Sequence, residues 1–149
     1  MDGSVVPERM RAAAEGEVTV FLVGMRINSF RHVGSWWPVF RAMPGMLREL
    51  GREQGLLGSR ALLGGPRLFF LVQYWASREQ LLAYARDSGG RHRPAWAEFN
   101  RGLRAGRGRV GLWHETYVVP AGSHESVYIG MPPFGLGAAT GTVPADGRG

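Results

Sequence analysis

The sequence predicts an α+β fold, a four-stranded antiparallel sheet with its helices on one face. Three observations predict it. Four stretches, 17–28, 57–63, 67–75 and 110–119, have strand length and strand composition. Two stretches with helical apolar spacing separate the first strand from the second and the third from the fourth. Between the middle two, Gly64-Gly65-Pro66 leaves room only for a tight turn, which makes that pair antiparallel.

Residues 1–15 are polar and rich in Ala and Arg, and are expected to form a flexible leader. The first strand, 17–28, places Phe21, Val23, Met25 and Ile27 on one face, continuous enough to lie under helices. Val20, Leu22, Gly24, Arg26 and Asn28 fall on the other. After a loop containing His32, the first helix is expected to start near Trp37, with Pro38 in its first turn. Val39, Phe40, Met43, Met46, Leu47 and Leu50 recur at helical spacing and should pack on the sheet. Pro44 removes a backbone donor inside this helix.

In the third strand Leu68, Phe70, Val72 and Tyr74 point one way, and Phe69, Leu71, Gln73 and Trp75 the other. Ser77-Arg78-Glu79-Gln80 reads as a capping box opening the second helix. That helix should break at Asp87-Ser88-Gly89-Gly90 and resume near Pro94, with Trp96, Phe99 and Leu103 on one stripe. The fourth strand is 110–119. Ser126–Gly130 is a candidate short fifth strand, and 138–149 is read as a disordered tail. One domain over 16–137 results, with the β-α-β-β-α-β order of a ferredoxin-like sheet. Its uncovered face is expected to carry Arg26, Asn28, Gln73 and Trp75 among apolar residues.

Composition narrows the function classes. The chain has 149 residues, 44% of them apolar, and no cysteine, so disulfides and thiolate chemistry are excluded. No apolar run approaches the ~20 residues of a membrane span. The leader lacks an apolar signal core, which makes the cytoplasm the expected compartment. The net charge of +6 rests on arginine alone. Arg101, Arg104, Arg107 and Arg109 lie among glycines in a loop, a pattern of a solvated surface rather than a nucleic-acid footprint. Phosphate-cradling loops, nucleophile elbows and helical metal pairs do not occur in the sequence.

The polar groups left to do chemistry are few. His92, just before Pro94, stands at an expected helix N-terminus, where the dipole favours neutral imidazole; it can accept a proton or bind haem iron. It serves equally as a capping histidine. Arg26, Asn28 and Trp75 are expected to converge on one rim of the open face and hold an anionic or carbonyl oxygen; the same residues suit a dimer interface. Alternation along the fourth strand puts Glu115 and Tyr117 in the lumen and His114 in the core, hydrogen-bonded. Gln73, Phe69, Trp36 and Phe134 complete the expected substrate contacts. Trp36-Trp37 and Met131–Leu136 are unusually apolar for loops and are expected to close a pocket or cross to a second subunit.

The segments RINSFRHVGSWWPVF, YWASREQLLAYA, HRPAWAEFN, GLWHETYVVPAGSHESVY and MPPFGLG resemble a small monooxygenase-like family of actinomycetes and fungi. That family lies within the antibiotic-biosynthesis monooxygenase group of the dimeric α/β-barrel superfamily. The resemblance covers residues 16–137. It implies a homodimer with two sheets face to face, and a hydrophobic aromatic or polyketide-like substrate oxidised either without a cofactor or with haem. For haem-degrading members it implies an asparagine on the first strand and a histidine and tryptophan on the second helix. Asn28 and His92 match the first two broadly; Tyr84 stands nearest the tryptophan's place. A ligand-binding dimer without catalysis is the remaining reading.

Overall fold

A computed structural model describes residues 4–51, 53–87, 100–105 and 107–145. Strands β1 (Met10–Ala12) and β2 (Val18–Ile27) precede helix α1 (Val33–Leu50). Strands β3 (Leu56–Leu63) and β4 (Leu68–Trp75) then lead to helix α2 (Arg78–Asp87). Residues 100–105 are helical and run into β5 (Val110–Val119), helix α3 (Gly135–Thr140) and β6 (Thr142–Pro144). The main sheet has the order β3-β4-β2-β5, antiparallel throughout, with β2 and β4 central. That is the ferredoxin-like α+β arrangement, and α1 and α2 cover one face of it.

The pairing register divides the side chains between two faces. Val23 lies opposite Leu71 and His114, and Met25 opposite Phe69 and Leu112; these share the helix side. Gly24 lies opposite Phe70 and Trp113, and Leu22 opposite Val72 and Glu115, on the other side. Two apolar clusters fill the space under the helices. Met25, Ile27, Val39, Ala42, Met46 and Val110 form one; Leu50, Trp75, Leu81 and Tyr84 form the other. Gly64 and Gly65 make the β3–β4 turn, where the Gly64 N–H bonds the Leu68 carbonyl and Gly65 takes φ 94°.

Helix α1 begins at Val33, four residues before the expected start, and runs through both Pro38 and Pro44. Its first turn is set by the Ser35 N–H bonding the His32 carbonyl at 2.8 Å, while Ser29 Oγ holds His32 Nδ1 at 2.6 Å. Burial of Val39, Ala42, Met46 and Leu50 along one stripe outweighs the two lost backbone donors. At α2 the capping prediction holds: the Gln80 N–H donates to Ser77 Oγ at 3.2 Å, and that hydroxyl donates to Gln80 Oε1 at 3.1 Å.

The ends of the chain differ from expectation. Instead of a loose leader and tail, β1 and β6 pair antiparallel, Arg11 opposite Val143. The proposed strand at 126–130 reduces to single bridges, Met10 to Tyr128 and Val6 to Met131. Long-range pairing supplies what the local Gly/Ala/Thr composition lacks. Helix α3 then lies on the sheet face opposite α1 and α2, and Gly58 on β3 is what admits it. A Cβ there would stand 2.7 Å from the Ala139 Cβ.

Candidate functional site

The sequence-derived candidates separate into three places. The first is the end of β2. Asn28 Oδ1 accepts from Arg26 Nη1, while its Nδ2 donates to the Gly108 carbonyl at 3.0 Å. Its backbone N–H bonds the Arg109 carbonyl at 2.8 Å, and Arg67 Nη1 donates to its carbonyl at 3.2 Å. Asn28 is therefore a lock between β2, the β3–β4 turn and the arginine-rich loop. Its amide is engaged at both ends. All four arginines are exposed as expected, but only Arg107 and Arg109 stand in the loop; Arg101 and Arg104 belong to the helical residues 100–105.

Trp75 does not join that rim. It pairs opposite Thr19, whereas Arg26 pairs opposite Leu68, seven residues further along β2. At ~3.3 Å per residue the two side chains stand ~23 Å apart. Trp75, Gln73 and Phe69 also lie on the helix side, not on the open face as expected. The physical reason is register: odd-numbered β4 residues pair with odd-numbered β2 residues, and the latter carry the helix-facing stripe. Trp75 and Gln73 are both fully buried. The Trp75 indole N–H donates to Gln73 Oε1 at 2.9 Å, and the ring packs 5.5 Å from Tyr84.

The second place is the helix side itself. A cavity of about 50 Å³ lies between α1 and the sheet. Met43, Met46, Leu47 and Leu50 form its helical wall, and Val23, Met25, Phe69, Leu71 and Gln73 its sheet wall, with Tyr84 and Leu112 beside them. Leu47 and Leu112 are 37% and 44% exposed and mark its mouth. Gln73 and Tyr84 are the only lining residues with polar side chains among the described residues. Gln73 Nε2 is buried and has no hydrogen-bond partner among the described residues. Periodicity announced the two methionines of α1 as core residues, but nothing local announces a space beside them.

The third place is the open face. Glu115 and Tyr117 reach it as expected and are exposed. The Tyr117 hydroxyl donates to Glu115 Oε2 at 2.9 Å, and this bond, with the carboxylate charge, raises the phenol pKa. Trp113 lies across Gly24, where a Cβ would collide with its ring. Phe134 packs on Arg60 of the same chain, the guanidinium 4.6 Å from the ring centre. Tyr74, unremarked in the sequence, sits beneath α3; burial first, and Tyr128 second, push its pKa above 10.0, against a backbone bond at Leu136. A raised phenol pKa leaves stability intact below pH 10 and erodes it above, because the unfolded chain ionises first. Alkaline unfolding followed by circular dichroism should start later in Tyr74→Phe than in the parent.

His114 faces the helix side but is exposed, with its ring 5.6 Å from Phe21; it is not the hydrogen-bonded core histidine expected. Trp36 is a helical residue, not a loop residue. It stacks edge-on with Phe30, Trp37 and Phe40, its Nε1 donates to the Phe30 carbonyl at 3.1 Å, and it does not line the cavity. His92 and the stripe Trp96–Phe99 lie outside the described residues. Among those residues no imidazole lines the cavity, and its confined apolar walls do not fit a porphyrin with its propionates. Nor do they hold a His/Asp/Glu cluster fit for a metal ion, or a helix long and apolar enough to cross a membrane.

Comparison with known proteins gives the lineage. A curated relative, Monooxygenase af470 of Aspergillus fumigatus, is 27% identical over 148 residues, covering 85% of this chain and 48% of its own length. The chain thus spans about half of that relative. A conserved protein from Methanosarcina mazei Go1 aligns at TM-score 0.49 and 14% identity, over 67% of this chain and 91% of that one. A variant of SnoaB, a cofactor-independent oxygenase from Streptomyces nogalater, aligns at TM-score 0.43 and 14% identity, over 70% and 92%. The family model described as Monooxygenase af470-like matches residues 18–136, and the chain belongs to that family.

Proposed function

We propose that this protein is a small-molecule oxygenase whose hydrophobic, aromatic or polyketide-like substrate enters the cavity between α1 and the sheet. The observation that carries the reading is that cavity: an apolar chamber with a mouth at Leu47 and Leu112, in a chain of a monooxygenase-like family. An electron-rich substrate can supply the electrons itself. An activated CH2 that loses a proton gives a carbanion, which reduces oxygen; CH2 + O2 → C=O + H2O balances without an external reductant. In this reading His92 takes the proton. Arg26 and Asn28 hold the end of the sheet in register rather than the substrate, since the asparagine amide is already engaged.

Oxygen uptake with a hydroxyanthrone, without added metal, flavin or haem, tests the reading. Leu47→Trp should lower turnover ~10-fold or more by plugging the mouth. Its melting temperature should stay near the parent's, because the position is partly exposed. Unchanged turnover in that variant would place the reaction elsewhere, and binding without uptake would favour a ligand-binding protein. We further propose a homodimer through the part of the open face that α3 leaves uncovered, where Trp113 and Tyr117 are 36% and 51% exposed. Sedimentation at twice the 16.4 kDa chain mass would support it; a monomer at micromolar concentration would refute it.

A further inference from the structure

We propose that one end of the domain docks on an anionic lipid surface, with Phe30, Val33, Trp37 and Leu63 inserting among the headgroups. This end is formed by residues 26–37, the β3–β4 turn and the chain leading into β5. The proposal rests on charge and packing there and does not depend on the oxygenase reading.

Charge is the first observation. Arg26, Arg31, Arg67, Arg104, Arg107 and Arg109 stand at this end, and all six are exposed. Segments 26–37, 63–67 and 104–109 contain no Asp or Glu. The six arginines therefore equal the chain's whole net charge of +6, and the other twelve balance the twelve acidic residues. Among the described residues none of the six meets a carboxylate: Arg26 and Arg67 bond Asn28, and Arg109 bonds Ser35 Oγ. With the bonds from Asn28 to the Gly108 and Arg109 carbonyls, these contacts tie the three segments into one surface.

The second observation is what lies among these charges. Val33 and Trp37 are one helical turn apart on α1 and both exposed, Trp37 by 49%. The Trp37 ring stacks 6.2 Å from Phe40, which meets Phe69 at 5.2 Å; Leu63, opposite Phe69 in the sheet, is 67% exposed. On the other side Trp36 links Trp37 to exposed Phe30, whose ring lies 5.2 Å from the Arg67 guanidinium. One run of apolar contacts is thus bordered by unneutralised arginine, the pattern of an interaction surface. The combination selects the occupant. A second copy would set one such charge against another. A nucleic acid would engage the arginines and the rings but leave Val33 and Leu63 without a partner. Anionic headgroups attract the arginines, while the boundary beneath them takes Trp, Phe, Val and Leu side chains.

The test floats the full chain on a density gradient with phosphatidylcholine vesicles, with and without ~30% phosphatidylglycerol. At ~50 mM salt the protein should bind the anionic vesicles at least ~10-fold more tightly than the neutral ones, and lose most of that binding by ~500 mM. Arg31→Gln and Arg104→Gln should each weaken it about fivefold. Both side chains are exposed, so the melting temperature should stay near the parent's. Acyl chains brominated near the headgroup should quench the parent's tryptophan fluorescence. Trp37→Phe, which keeps a ring on Phe40, should still float but lose most of that quenching. No flotation, equal flotation with both vesicles, arginine variants that bind like the parent, or quenching that survives Trp37→Phe would each overturn the proposal. Tighter retention of a single-stranded RNA at the same salt would make nucleic acid the occupant and overturn it. So would a homodimer that dissociates on Leu63→Asn, which would assign the face to a second copy.

Discussion

Trp75→Ala should destabilise the protein by ~3–5 kcal/mol, the range for truncating a large aromatic residue in a core. The residue is wholly enclosed among Leu50, Leu81 and Tyr84, and removing it also strips Gln73 Oε1 of its donor. At ~2–4 °C per kcal/mol for a chain of this size, the melting temperature should fall by ~6–20 °C. Trp75→Phe separates the two contributions. It keeps most of the ring and loses the indole N–H, so ~1–3 kcal/mol is expected from the unpaired acceptor. A loss under 1 kcal/mol for the alanine variant, measured in denaturant, would contradict burial of this side chain. The sequence placed Trp75 in the site, and the structure makes it a support for Gln73.

Gly58→Val should release the C-terminal helix from the sheet while leaving the rest folded. The new Cβ would stand 2.7 Å from the Ala139 Cβ and 3.0 Å from its Cα, so α3 and β3 cannot keep their approach. Overpacking of this kind costs ~1–3 kcal/mol. The cost falls on the contact of α3 with β3, not on the core beneath α1 and α2, so the expected response is local opening. Chymotrypsin should cut at Phe134 or Leu136 about tenfold faster, since ~1.4 kcal/mol is a factor of ten in the open population. The thermal midpoint of the main sheet should move little. Cleavage at the parent's rate would mean that α3 can shift along β3 without leaving it.

The expected outcomes differ in what they owe to the sequence. The alternation in VTVFLVGMRI placed Phe21, Val23, Met25 and Ile27 under the helices, because a strand's period of two survives any tertiary context. The same period placed Glu115 and Tyr117 opposite His114. The β3–β4 turn and the Ser77 cap were legible because glycine, proline and serine act on the backbone within a few residues.

What the sequence could not settle was how one strand's faces map onto its neighbour's. RLFFLVQYW is apolar on both faces, so its alternation carries no sign, and Gln73 and Trp75 were placed on the wrong side. Only the register, Phe21 opposite Gln73 and Thr19 opposite Trp75, decides it. The same limit applied at the termini. Residues 10–12 and 142–144 have little strand character separately, and each becomes a strand because the other supplies its hydrogen bonds. The cavity is a third case: Met43, Met46 and Leu50 announce burial, but the space beside them depends on how closely α1 approaches β4. By itself the sequence determined the order of the main-sheet strands and the two helices between them, and the covered face of β2, through local periodicity and backbone chemistry. Only the tertiary structure decided which groups meet, because register and helix approach are properties of pairs of elements and are written in neither one alone.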